Sequence, residues 1–119
     1  MWKRIECLAI YTENLEKSVT FYQSMGLTKA WETYQDEQEK WKLVGMRFPG
    51  GDAELVLKNN PNVTFAETEI MVEDVRDFYE RFRSNPEIKW IRTPFPNALG
   101  GHVAVMKSPE DTIFVILGS

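Results

Sequence analysis

IECLAIYTENLEKSVTFYQSMGL, residues Ile5 to Leu27, decides the fold, because the chain carries its pattern twice. Ile5 to Tyr11 is a short run with apolar residues on both faces and β-branched members, which reads as a strand. Asn14 breaks the run, and apolar residues then recur at Leu15, Val19, Tyr22 and Met25, the spacing of one helix face. Gly26 stands where a left-handed cap closes a helix. About sixty positions further on the order returns. Glu67 to Val72 reads as a strand, Asp74 as an N-cap, and Val75, Phe78 and Phe82 as a helix face. Phe21-Tyr22 has its counterpart in Phe78-Tyr79.

Outward from these anchors the remaining elements fall into place. Leu27 to Glu32 reads as a strand, and the polar stretch Tyr34 to Lys40 as a solvated connection. Trp41 to Phe48 and Ala53 to Leu57 are strands joined by the turn Pro49-Gly50-Gly51-Asp52. Asn59-Asn60-Pro61-Asn62 is a cluster of turn formers near the midpoint and reads as a linker. In the second half, a helix runs from Asp74 to about Ser84. Asp74 and Asp77 suit its positive N-terminal end, and Asn85-Pro86 stops it. Ile88 to Thr93 is a strand, PFPNALGG (Pro94 to Gly101) a loop, and His102 to Lys107 and Thr112 to Leu117 two strands joined by Ser108-Pro109-Glu110-Asp111. Each half therefore reads βαβββ. The expectation is an α+β protein: one domain, residues 1–119, built from tandem modules 1–60 and 61–119.

Composition narrows the partners. A chain of 119 residues fits one compact domain. Its net charge of −4 argues against nucleic-acid backbones and anionic membranes, which need a basic face. The single cysteine, Cys7, excludes an internal disulfide and fits a reducing compartment. MWKRIECLAIYTENL has no long apolar core or small-residue cleavage site, so no signal peptide is expected. A cytoplasmic protein is the expectation.

The motifs N-L-E-K-S…F-Y…M-G-L, P-G-G and A-E-L-V-L, with the closing G-G-H-V-A-V-M-K-S-P-E-D-T-I-F-V-I-L, resemble those of the vicinal oxygen chelate superfamily. That family includes glyoxalase I, extradiol dioxygenases, and fosfomycin and bleomycin resistance proteins. The resemblance implies two tandem βαβββ modules forming a curved mixed sheet around a cavity, usually in a homodimer. It also implies ligand positions at Cys7, Glu54, Glu67 and Val115, with Cys7 superposing on Glu67 and Glu54 close to Val115. The usual residues there are His or Gln, Glu, His, and Glu. Only Glu54 matches, and Val115 cannot ligate, so glyoxalase I chemistry would lack its metal-bound base.

Strand alternation names the cavity face as Cys7, Ala9 and Tyr11; Glu54 and Val56; Glu67, Glu69 and Met71; and Ile113, Val115 and Leu117. Pairing Lys107 with Thr112 across the S-P-E-D turn adds Met106, Ala104 and His102 to it. Trp31, Trp41 and Trp90 are strand aromatics suited to stacking on a ligand or to a core. His102, the only histidine, and Glu67 are the candidates for acid–base work. Arg47 lies across the P-G-G turn from Glu54, so an ordinary ion pair is the alternative use of that carboxylate. The main expectation is metal-independent binding of a small, cationic or aromatic molecule by Cys7, Tyr11, Trp31, Trp41, Glu54, Glu67, Glu69, His102 and Val115, with no cofactor. The alternative is a lyase, isomerase or dioxygenase-type enzyme with an altered divalent-metal site at Glu54, Glu67 and His102.

Overall fold

A computed structural model describes residues 1–119. In chain order the elements are β1 (Trp2–Tyr11), α1 (Leu15–Ser24), β2 (Thr28–Asp36), β3 (Trp41–Arg47) and β4 (Glu54–Lys58). They are followed by β5 (Glu67–Val72), α2 (Val75–Phe82), β6 (Lys89–Pro96), β7 (His102–Lys107) and β8 (Ile113–Gly118). The chain folds as two tandem βαβββ modules. Contacts divide it into one compact unit of Cys7–Ala66 and another of Glu67–Ser119 together with Met1–Glu6.

In the first unit the strands lie in the order β2-β3-β4-β1. β1 runs parallel to β4, and the other neighbours are antiparallel. Helix α1 starts where the Asn14 side chain accepts the Lys17 N–H, and it is followed by Gly26 at φ 103°, a conformation open to glycine. Its Leu15, Val19 and Tyr22 pack with Ile10 on Leu27, Val44, Met46, Leu55 and Leu57. Burying each such aliphatic side chain contributes about 1.5–3 kcal/mol. One face of the sheet is thereby committed to the helix.

The second unit repeats the plan with the order β5-β8-β7-β6, in which β5 and β8 are the parallel pair. Asp74 caps α2 by accepting the Asp77 N–H. Val75, Phe78 and Phe82 cover Ile70, Val72, Ala104, Met106, Phe114 and Ile116. Neither helix is long and apolar enough to cross a membrane.

Three expectations are corrected. β2 runs through Tyr34 to Asp36, with Tyr34 opposite Lys42, so only the residues after Asp36 form the turn. β6 continues through Pro94, Phe95 and Pro96 instead of giving way to a loop. It is the edge strand of its sheet and carries register irregularities, a setting in which proline costs no ladder bond. The third correction concerns β8, where Ile113, not Thr112, stands opposite Lys107. Ser108 N–H bonds to Thr112 O, and Asp111 adopts φ 64°, so the connection holds one residue more than S-P-E-D. A one-residue slip exchanges the two faces of a strand.

Candidate functional site

The helix-free face of the first unit is built from three cross-strand rows. Trp31, Gly45, Val56 and Ala9 form the first, and Arg47, Glu54 and Cys7 the second. Thr33, Leu43, Lys58 and Tyr11 form the third. Cys7, Ala9 and Val56 are buried there, with Trp31 and Leu43 packed against them. Trp41 opens β3 opposite Asp36, and alternation places it on the same face, half-buried.

Glu54 is the one acidic side chain of the second row, and it is held. The Trp31 indole Nε1–H donates to both of its oxygens, at 3.0 and 3.1 Å. Arg47 reaches Oε2 at 3.4 Å. The Glu54 side chain is 20% exposed and that of Arg47 59%. The ion pair expected across the P-G-G turn is therefore present, but the indole is the closer partner. Arg47 keeps most of its guanidinium donors for other acceptors. Lys58, in the neighbouring row, is 3% exposed and donates from Nζ to Phe65 O at 2.7 Å.

In the second unit the helix-free face carries Glu69, Val115, Val105 and Arg92 in one row, and Met71, Leu117, Val103 and Phe95 in the next. Glu67 lies two residues before Glu69 and shares its face. His102 does not. It stands opposite Gly118 in the register of Ala104 and Met106, both of which pack under α2. This corrects the expected placement of His102, Ala104 and Met106. The added residue in the β7–β8 connection turns them to the helix side, with the His102 Nδ1 buried and unbonded. Glu67 and His102 thus lie on opposite faces of one sheet, so the anticipated Glu54, Glu67 and His102 donor set loses a member.

Counting from the N-caps aligns the modules. The strand residue three before Asn14 is Tyr11, beside Lys58; three before Asp74 is Met71, beside Leu117. Glu67 is then the counterpart of Cys7, while the counterpart of Glu54 is Ile113 rather than Val115. Both candidates are alkyl side chains, so neither supplies a ligand. No three His, Cys, Asp or Glu side chains gather as a metal-holding group. Of the four positions that the resemblance implies, Cys7, Glu54 and Glu67 carry donor atoms and the fourth carries an alkyl group.

The Lys29 hydrogen bond, at 2.8 Å, holds Glu32 below the usual carboxylate range, with help from Lys42. Lys42 is in turn raised by the Glu32 charge. That group is solvent-exposed on the edge strand and its neighbour. Each unit also forms a cleft. One, of about 490 Å³, lies among Lys3, Glu73, Asn97 and Gly101. The other, of about 690 Å³, lies between the end of α1 and the β3–β4 turn, among Met25, Phe48 and Leu55. Met71 and Leu117 of the expected cavity face line the first cleft, whereas Trp31, Glu54, Glu67, Glu69 and His102 line neither.

Two contributors escaped the sequence reading as parts of a site. Arg47 was legible only as an ion-pair partner. Gly45 carries a signal of its own, since a lone glycine inside the strand WKLVGMR marks a close approach to the backbone.

A family model described as Glyoxalase/Bleomycin resistance protein/Dioxygenase superfamily matches residues 4–113. The chain belongs to that superfamily. Solved structures similar to this superfamily member include a hypothetical protein from Bacillus halodurans C-125. Its TM-score is 0.77 at 15% identity, with 98% of this chain and 94% of that one covered. Methylmalonyl-CoA epimerase from Mycobacterium tuberculosis gives 0.73 at 13% identity, covering 96% and 86%. A Streptomyces coelicolor methylmalonyl-CoA epimerase in complex with 2-nitronate-propionyl-CoA gives 0.73 at 15%, covering 100% and 99%. At these identities the likeness is one of fold. No curated protein matches the sequence.

Proposed function

We propose that this superfamily member is an isomerase- or lyase-type enzyme that moves a proton on a small organic substrate, with Glu54 as the general base. The observation that carries the reading is the Glu54 carboxylate, oriented by the Trp31 indole on a largely apolar sheet face and mostly covered. An oriented carboxylate away from bulk water suits removal of a proton from carbon beside a carbonyl. Arg47, with donors to spare, is placed to hold the oxygen on which charge then develops. That several solved structures of this fold are epimerases supports the same class. The proposal is metal-independent, supported by the alkyl side chain at the fourth ligand position and by His102 lying on the other face of its sheet, and it includes a cytoplasmic location and a homodimer.

A second reading has its own support. The alkyl groups at Ile113 and Val115, and the carboxylate already engaged by Trp31 and Arg47, also fit a protein that binds a cationic or aromatic molecule without transforming it. Incubation in deuterium oxide with acyl thioesters, 2-oxo acids and 2-hydroxy ketones, followed by proton NMR, separates the two. Protein-dependent loss of a C–H signal supports the enzyme. Compounds that raise the melting temperature with no exchange in the whole panel support the binding protein.

A further inference from the structure

We propose that Gly45 is a positioning residue, required so that the Trp31 indole can lie on β3 and present its N–H to Glu54. Trp31 and Gly45 are directly opposed across the β2–β3 ladder, just after a register irregularity between Lys29 and Trp31. A Cβ placed on Gly45 would overlap Cε2 and Nε1 of the Trp31 ring and come 2.7 Å from its Cδ1. The indole thus occupies the volume that any other residue at 45 would fill. The atoms that a side chain would displace include the nitrogen that donates to Glu54 at 3.0 and 3.1 Å. Gly45 is neighboured on its other side by Val56, in the same row, while Glu54 and Arg47 form the adjacent row. A glycine in a strand interior costs about 1 kcal/mol through backbone entropy and lost packing. Here the missing side chain is what allows the indole, the carboxylate and the backbone to meet.

The geometric part of this inference stands alone, and its role in ligand handling rests on the function proposed above. A double-substitution cycle tests the geometry without any ligand. Gly45→Ala in the otherwise native protein is expected to lower the melting temperature by several degrees. The same change in a Trp31→Ala background is expected to lower it no further, since the side chain nearest that position is gone and alanine restricts the unfolded chain. The Trp31 indole proton, assigned by its loss in Trp31→Phe, is expected to shift upfield and exchange faster in Gly45→Ala. An equal temperature loss in both backgrounds, or an unmoved indole signal, would overturn the proposal. If Gly45→Ala does not fold alone but folds with Trp31→Ala, the cycle supports it. A compound that engages the native protein is expected to bind Gly45→Ala at least tenfold more weakly. Unchanged binding alongside the expected indole shift would overturn the ligand role while sparing the geometry, and the fault would lie in the placement of the ligand at Glu54.

Discussion

Exchanging Gly101 for alanine is expected to cost about 3 kcal/mol or more of unfolding free energy, at the severe end for one substitution. Two causes combine. Gly101 has φ 74°, where an L side chain costs roughly 1–2 kcal/mol. Its Cβ would also overlap the carbonyl oxygen of Gly118 and lie 3.1 Å from that carbonyl carbon. The obstacle is backbone, which cannot swing aside as a side chain does. Gly26 serves as the control: at φ 103° it is also a poor place for alanine, but open space surrounds its Cβ position, so only the conformational part applies. Denaturant titration of both variants checks the difference, and equal losses would show that the Gly101–Gly118 approach is not tight. The outcome bears on function because Gly101 leads into β7, whose register beside Gly118 sets which residues face away from α2.

Glu54→Gln is expected to lower the rate of solvent exchange into a substrate by about 10²–10⁴-fold, the range attributed to a positioned general base. The amide keeps an oxygen that can accept the Trp31 N–H, so the unfolding free energy should change by less than about 1 kcal/mol. Glu54→Asp retains the charge but withdraws it by a methylene, and should fall between wild type and Gln. Loss of activity with retained stability separates a catalytic group from one that merely holds β2 to β4. Full exchange activity in Glu54→Gln would remove Glu54 from the chemistry.

The fold was legible because the duplication writes the same cues twice. Asn14 and Asp74 cap helices as their residue types require, and the apolar rows of both helices meet their sheets, except that Met25, expected on the row of α1, lies exposed just past its end. Legibility failed where one residue of register decided the outcome. Nothing in S-P-E-D announces that Asp111 will take a left-handed conformation and lengthen the connection, yet that choice turns His102 to the helix side of its sheet. Pro94 and Pro96 read as loop residues because proline is hostile to a strand interior, and only the sheet order shows that β6 is an edge. The Trp31–Glu54 hydrogen bonds join side chains 23 residues apart across an irregular strand pair, a contact that alternation alone does not reach. Gly45 was the available signal for it.

Whether ligand meets the helix-free face bearing Glu54 is decided by NMR mapping of a bound compound. Amide and indole signals are followed while a compound found in the exchange or melting screen is added to the labelled protein. The Trp31 indole and the amides of Cys7, Val56 and Arg47 are expected to move together, saturating at one affinity. Shifts confined to Met25, Phe48 and Leu55, or to Asn97 and Gly101, with Trp31 still, would place the ligand in one of the clefts and contradict that expectation.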